Sequence, residues 1–261
     1  TASRFAEVLS FTRLTRSVAE YTAHAPESCM DNGGRVVAMA AAAGQIHSRL
    51  KFYAAVQTKP EFLTELVDAA DEFKRCCITP EDLKLASGQT TGSLAQKLEE
   101  LSLIQDCYDS LCAQSQADPR DQMNWLLEQL ECCDFARDHE FYIDGFPDFT
   151  RQHFAIITHL IQYSPNVVIS LNCDEPNSDA MAFEKAGKTA WDLIQFAKNA
   201  GIPYQIKHVA PHATALEPVR NKLFQGSLYD LPRLNDRLQV YRTETVYQEC
   251  VAAAQRIRKH V

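Results

Sequence analysis

Two short stretches hold the residues best suited to chemistry. In FYIDGFPDFT, 141 to 150, an aromatic and β-branched run delivers Asp144 and then breaks at Gly145 and Pro147, with Asp148 in the turn and Thr150 placed to cap a helix. In open α/β sheets ligands gather at the carboxyl ends of strands, so an acid there is where a nucleotide-hydrolysing enzyme would hold magnesium. The same two acids also serve as ordinary turn residues. In LSFTRL, 9 to 14, a short strand over 6–11 is expected to give way to a helix with Thr12 as its N-cap. Arg13 and Arg16 then fall in the first turn, where a cation opposes the helix dipole and invites an anionic ligand, although solvated arginines are common on any surface.

Composition narrows the classes. The chain has 261 residues and a net charge of −8, so nucleic-acid contact must be confined to local cationic sites. No apolar run approaches the ~20 residues of a membrane span, and no membrane partner is expected. The N-terminus has neither an initiator Met nor the features of a secretory signal, and reads as cut from something longer. Nine cysteines, including the pairs Cys76-Cys77 and Cys132-Cys133, show no C-x-x-C spacing, which suggests buried thiols in a reducing cytoplasm. A metal site from Cys132, Cys133 and His139 matches no common ligand pattern, and no metal ligand is assigned. His153 and His159 share one expected helix without i, i+4 spacing and read as polar-face or satisfied core residues.

Positioning these stretches requires strands that alternate with helices. A helix over about 150–163, an apolar strand NVVISL at 166–171 expected to be buried on both faces, a helix through Trp191 and Ala197, and strands near 204–208 and 238–241 imply parallel βαβ units. A final helix carries Val246, Cys250, Val251, Ala254 and Ile257. Between the first two motifs lie almost a hundred residues of helical pattern: a helix through VVAMAAAAG and IHSRLKFY, one opened by Pro60, one capped by Thr79, a long stripe from Leu94 to Leu111, and one after Asp118-Pro119. The expected organisation is an α/β sheet domain over 1–34 and 134–236, an inserted helical subdomain over 35–133, and the start of a further α/β domain over 237–261.

The order of LSFTRL, FYIDGFPDFT and NVVISLNCDEP resembles three successive motifs of superfamily 1 DNA helicases. More closely, LSFTRL, KLEELSLI followed by Tyr108, YIDGFPDFT with Gln152, and VVISLNCDE resemble the AddB family, the B subunits of bacterial ATP-dependent helicase/nucleases that process double-strand breaks for recombination. The resemblance covers essentially the whole chain. It implies a P-loop-NTPase-like parallel sheet with a large all-helical insertion, DNA-backbone contact by Thr12 and Arg13, a degenerate magnesium/ATPase motif at Asp144 and Asp148, an AddA-type partner subunit, DNA as ligand, and a cytoplasmic location. Gly145 stands where such helicases carry Glu, and no G-x-x-x-x-G-K-[ST] loop occurs, so neither a catalytic residue nor a cofactor is expected in this chain. ATP with magnesium, and the family's iron-sulfur cluster, would belong to other parts of longer members. Two other readings stand beside this one. One is a scaffold that binds only its protein partner; the other is a magnesium-dependent phosphohydrolase of the haloacid dehalogenase type, in which Tyr142 would occupy the nucleophile's place.

Overall fold

Helix starts are encoded within a few residues of themselves, and most of those expected are found. The structure, a computed structural model, describes residues 6–173, 175–177, 183–209 and 241–260. In order these form α1 (Phe11–Thr22), α2 (Asn32–Gln45), α3 (Pro60–Arg75), α4 (Pro80–Gly88), α5 (Gly92–Gln114), α6 (Gln122–Cys132), α7 (Phe135–Asp138), β1 (Phe141–Ile143), α8 (Arg151–Tyr163), β2 (Val167–Ile169), α9 (Glu184–Asn199) and α10 (Val246–His260). Short 3-10 turns occupy His47–Arg49 and Pro119–Asp121. The described part is thus mostly helical, with a small two-stranded parallel sheet. Described residues up to Tyr204 belong to one unit and those from Gln205 onward to a second, which contains α10.

Local signals account for several of these boundaries. Thr79 and Asp82 form a reciprocal capping box, the Thr79 Oγ1 accepting from Asp82 N–H at 3.2 Å and the Asp82 carboxylate accepting from Thr79 N–H at 2.9 Å. Pro60 and Pro80 open α3 and α4, where a missing N–H costs nothing. Gly201 takes φ +68 after α9, as a helix stop requires.

The first unit holds two apolar clusters. In one, Met39 and Ala42 of α2, Leu66 and Ala70 of α3, and Ile104 and Tyr108 of α5 pack together. In the other, Leu14 and Val18 of α1, Leu126 and Leu130 of α6, and Ile156 and Leu160 of α8 do so. β1 and β2 pair in parallel with Tyr142 opposite Val168, and α8 makes the crossover between them.

A buried ionic cluster joins the helices of the first apolar cluster to the turn before α6. Asp118 is wholly buried, and its Oδ2 accepts from Arg35 Nε at 3.2 Å, from an Arg35 terminal nitrogen at 3.0 Å and from Tyr108 O–H at 2.6 Å. Its Oδ1 accepts from Arg120 N–H at 2.8 Å. Arg35 also pairs with Asp71, which receives Arg120 at 2.7 Å; Lys74 reaches Asp121 at 2.7 Å and Asp109 at 3.1 Å. Burial alone would raise the Asp118 pKa, but Lys74, the Tyr108 hydroxyl, the Arg120 amide and Arg35 outweigh it and hold it below the ordinary value. Asp71 is likewise lowered, its burial outweighed by Arg120 and Arg35.

Several expectations are corrected. Residues 6–10 are not a strand: neither described strand pairs with them, and Val8 is exposed. Ser10, not Thr12, is the N-cap of α1, its side chain accepting from Arg13 N–H at 3.3 Å. IHSRLKFY does not continue α2, because Glu100 of α5 draws the N–H groups of Lys51, Phe52 and Tyr53 to its carboxylate at 2.7, 2.7 and 3.0 Å. β2 is not buried on both faces, since Val168 is 46% exposed and its neighbour Tyr142 69%. No strand forms over 204–208, and 238–240 lie outside the described residues. Nor are the thiols generally buried: Cys112 is, but Cys77, Cys132 and Cys250 are exposed.

The buried cluster sets a stability prediction. Asp118→Ala strips Arg35 and the Tyr108 hydroxyl of their shared buried acceptor, leaving Arg35 with Asp71 alone, and should cost about 3 kcal/mol in urea unfolding at neutral pH. A carboxylate whose folded pKa is depressed contributes stability above its unfolded pKa, about 3.9, and loses it as pH falls through the folded value. Wild-type stability should therefore fall as pH drops below about 4, and Asp118→Asn should lose less over that window. Equal pH dependence in the two would contradict the assigned role of Asp118.

Candidate nucleic-acid interface

Asp144 stands at the carboxyl end of β1, exposed, and accepts a hydrogen bond from the Ser170 hydroxyl at the end of β2. Ser170 N–H also bonds Ile143 C=O at 2.9 Å, so the ends of the two strands are tied by main chain and side chain together. Gly145 follows at φ +81, a region that disfavours side chains even though a Cβ there would meet nothing within 4 Å. Asp148 is exposed, with Lys185 of α9 at 3.8 Å. Thr150 is the N-cap of α8, its hydroxyl accepting from His153 N–H at 3.2 Å, as its sequence position indicates.

Magnesium is bound through one or two carboxylates together with substrate phosphates. Here the Asp144 carboxylate meets a hydroxyl, Asp148 meets an ammonium, and no phosphate-cradling motif occurs in the sequence. Among the described residues no group of three His, Cys, Asp or Glu is arranged to hold a metal. Asp144 and Asp148 are thus each engaged by a neighbouring side chain, and among the described residues no third metal-ligating group joins them.

What the fold brings together is a pair of helix starts. Phe11, first residue of α1, stacks on His153 of α8 at 4.3 Å between ring centroids, with an interplanar angle of 14°. It also meets Phe146 of the loop after β1 edge-to-face at 5.5 Å between ring centroids, and Phe146 lies 5.4 Å from Phe149. Burial lowers the His153 pKa from its ordinary value, which favours the neutral ring where it meets Phe11. The first turns of α1 and α8 are thereby placed side by side, and neither contains an acidic residue. Thr12 and Arg13 are exposed on one and Arg151 on the other. Arg13, Arg16 and Arg151 form no ion pair among the described residues. Exposed guanidinium groups and free helix N–H groups together suit an anion such as a phosphate.

The sequence marks Thr12, Arg13, Asp144 and Asp148 but not what joins their elements. Phe11 reads there as a strand residue, and Arg151 carries no signal of its own. An indirect signal exists in Thr150 as a cap, because a cap at 150 puts Arg151 and His153 in a first turn.

Comparison with known proteins gives the sequence a family context. The family model described as ADDB, N-terminal, matches residues 2–222. The B subunit of the ATP-dependent helicase/deoxyribonuclease of Bacillus subtilis (strain 168) is 25% identical over 217 residues, covering 78% of this chain and 19% of that protein. The protein of the same name from Thermoanaerobacter sp. (strain X514) is 29% identical over 206 residues, covering 77% and 18%. The chain spans about a fifth of the length of the curated relatives it matches.

The backbone at Gly145 yields a measurable expectation. Gly145→Ala should destabilise by about 1 kcal/mol through backbone strain alone, and Gly145→Asn by less, because Asn tolerates left-handed conformations. Urea unfolding of the two variants checks this; an Ala variant as stable as wild type would mean the loop does not hold this conformation.

Proposed function

The chain belongs to the AddB N-terminal family, and from that premise we propose that it is a helicase-like, catalytically degenerate region of the B subunit of an ATP-dependent helicase/deoxyribonuclease acting in double-strand-break repair. In this reading it contacts the DNA strand with the paired first turns of α1 and α8. The observation that carries it is the Phe11–His153 stack, which sets the exposed Thr12 and Arg13 beside the helix start that bears Arg151.

Several finer elements belong to the proposal. The two-stranded sheet is part of a larger P-loop-NTPase-like sheet, divided by the helical insertion as the sequence suggests. Asp144 and Asp148 are remnants of a magnesium and ATPase motif that lacks its general base, which is worth roughly 10²- to 10⁴-fold in rate where present. Nucleotide hydrolysis and any iron-sulfur cluster are assigned to other regions or to the partner. The relatives are named as B subunits, which supports an AddA-type subunit as that partner. No helix of the described residues is long and apolar enough to cross a membrane.

Phosphate contacts confer affinity without sequence information and make it salt-dependent. If two or three phosphates are neutralised, the log-log salt slope on single-stranded oligonucleotides should be about −1.5 to −2, at roughly −0.7 per phosphate. Arg13→Ala and Arg151→Ala should each make the slope shallower by about 0.7 and weaken binding about fivefold at 0.1 M salt, equally for unrelated sequences. Fluorescence anisotropy over a salt series measures both quantities. Variants that bind as wild type does at every salt concentration would overturn the DNA-contact reading and favour the partner-only scaffold.

A further inference from the structure

Gln152 is the second residue of α8 and only 5% exposed. Its side-chain nitrogen donates to Arg120 C=O at 3.1 Å and to Asn124 Oδ1 at 3.1 Å. Arg120 is itself held at both ends, its N–H on Asp118 at 2.8 Å and its guanidinium on Asp71 at 2.7 Å. The next residue on α8, His153, stacks on Phe11. The first turn of α8 is therefore gripped from two sides, by the buried ionic cluster through Gln152 and by the start of α1 through His153.

We propose that Gln152 is a positioning residue: its amide registers the 144–150 loop and the α8 start against the buried ionic cluster, and through the His153–Phe11 stack it sets where Thr12 and Arg13 are presented. The DNA part of this inference rests on the interface reading above; the registration of the loop does not. A donor is required at this position because both partners present oxygen. Glutamate has nearly the same shape but, when ionised, offers only acceptors. Asn124 can turn its amide to meet a carboxylate, whereas the carbonyl of Arg120 has no donor to offer, so ionised Gln152→Glu loses the contact that reaches the cluster. When protonated it regains a donor.

The charged surroundings are defined. The 3-10 turn carries Arg120, paired with Asp71 of α3, and Asp121, paired with Lys74; α8 itself carries Arg151 and His153, whose pKa burial lowers. A buried carboxyl without its own cation titrates above the ordinary glutamate value of about 4.3, so recovery should set in on lowering pH from about 7.5 toward about 6.

The test compares the full chain with Gln152→Glu and Gln152→Ala by amide hydrogen exchange at His153 and Phe154, whose N–H groups bond to Thr150 at the end of the loop, as protection factors, together with single-stranded oligonucleotide binding. At pH 7.5 both variants should lower protection about three- to tenfold, as loss of one hydrogen bond implies, with the α5 amides unchanged. Near pH 6, Gln152→Glu should return to wild-type protection while Gln152→Ala does not. Affinity should follow protection with an unchanged salt slope, because the number of phosphates contacted stays the same. Wild-type protection in Gln152→Glu at both pH values overturns the inference, as does a loss in that variant that acidification fails to restore. If protection behaves as stated but no form binds DNA, the interface reading fails and the positioning role stands.

Discussion

The helices of the first apolar cluster answer to Asp118, a carboxylate with no exposed surface that must be satisfied from every side. Removing a charge from water costs several kcal/mol even after relaxation, and only dense pairing repays it. Here Arg35, Tyr108, Arg120 and Lys74 supply that pairing from α2, α5, the 3-10 turn and α3. Such a cluster need not be more stabilising than a well-packed apolar core of equal volume. Its consequence is geometric: sliding any one of these elements along its neighbours strands a buried charge, so their register is held far more sharply than apolar contact alone would hold it.

Rigidity of that kind is useful to an exposed site only if something transmits it. Arg120 does so, because its amide and guanidinium are spent on Asp118 and Asp71 while its carbonyl remains available to Gln152. From Gln152 the path is one residue to His153, one ring stack to Phe11, and then Thr12 and Arg13. Single hydrogen bonds contribute only about 1 kcal/mol each, so no link in this path would hold a loop by itself. The loop is held because Thr150 caps α8, Ser170 meets Asp144 and Phe146 meets Phe11 at the same time.

What could be read from the sequence divides along the range of the interactions. Thr79-Pro80, Pro60 and Thr150 mark helix starts through contacts within three or four residues, and the helices open where these signals place them. Apolar periodicity likewise marks the faces of α3 and α8 that enter the two clusters. A strand over 6–11 could not be judged this way, because a strand exists only where another pairs with it. IHSRLKFY has a helical pattern, but the decisive group, Glu100, lies about fifty residues on. Asp118 is legible as a cap, yet its partner Arg35 is 83 positions away, and no local rule links them. At the candidate site, the acid at the end of β1 and the hydroxyl-arginine turn of α1 are visible as residue types. The Phe11–His153 stack that sets two helix starts together is not, because it joins residues of two separate motifs.

Charge then restricts where the proposed DNA contact can lie. The chain carries a net −8, and α3 shows water the acids Glu61, Glu65, Asp68 and Glu72 at helical spacing. Their field falls off within about 8 Å at physiological salt, so they bar a phosphate backbone from their own face without cancelling cations beyond that range. The paired starts of α1 and α8 offer the opposite environment, with three arginines outside any ion pair of the described residues, free helix N–H groups and no acid in either first turn. Under the proposed reading, a contact of two or three phosphates there is weak, which suits guiding a strand better than anchoring it. A basic surface along the whole chain would instead bind phosphates at many points and release them slowly.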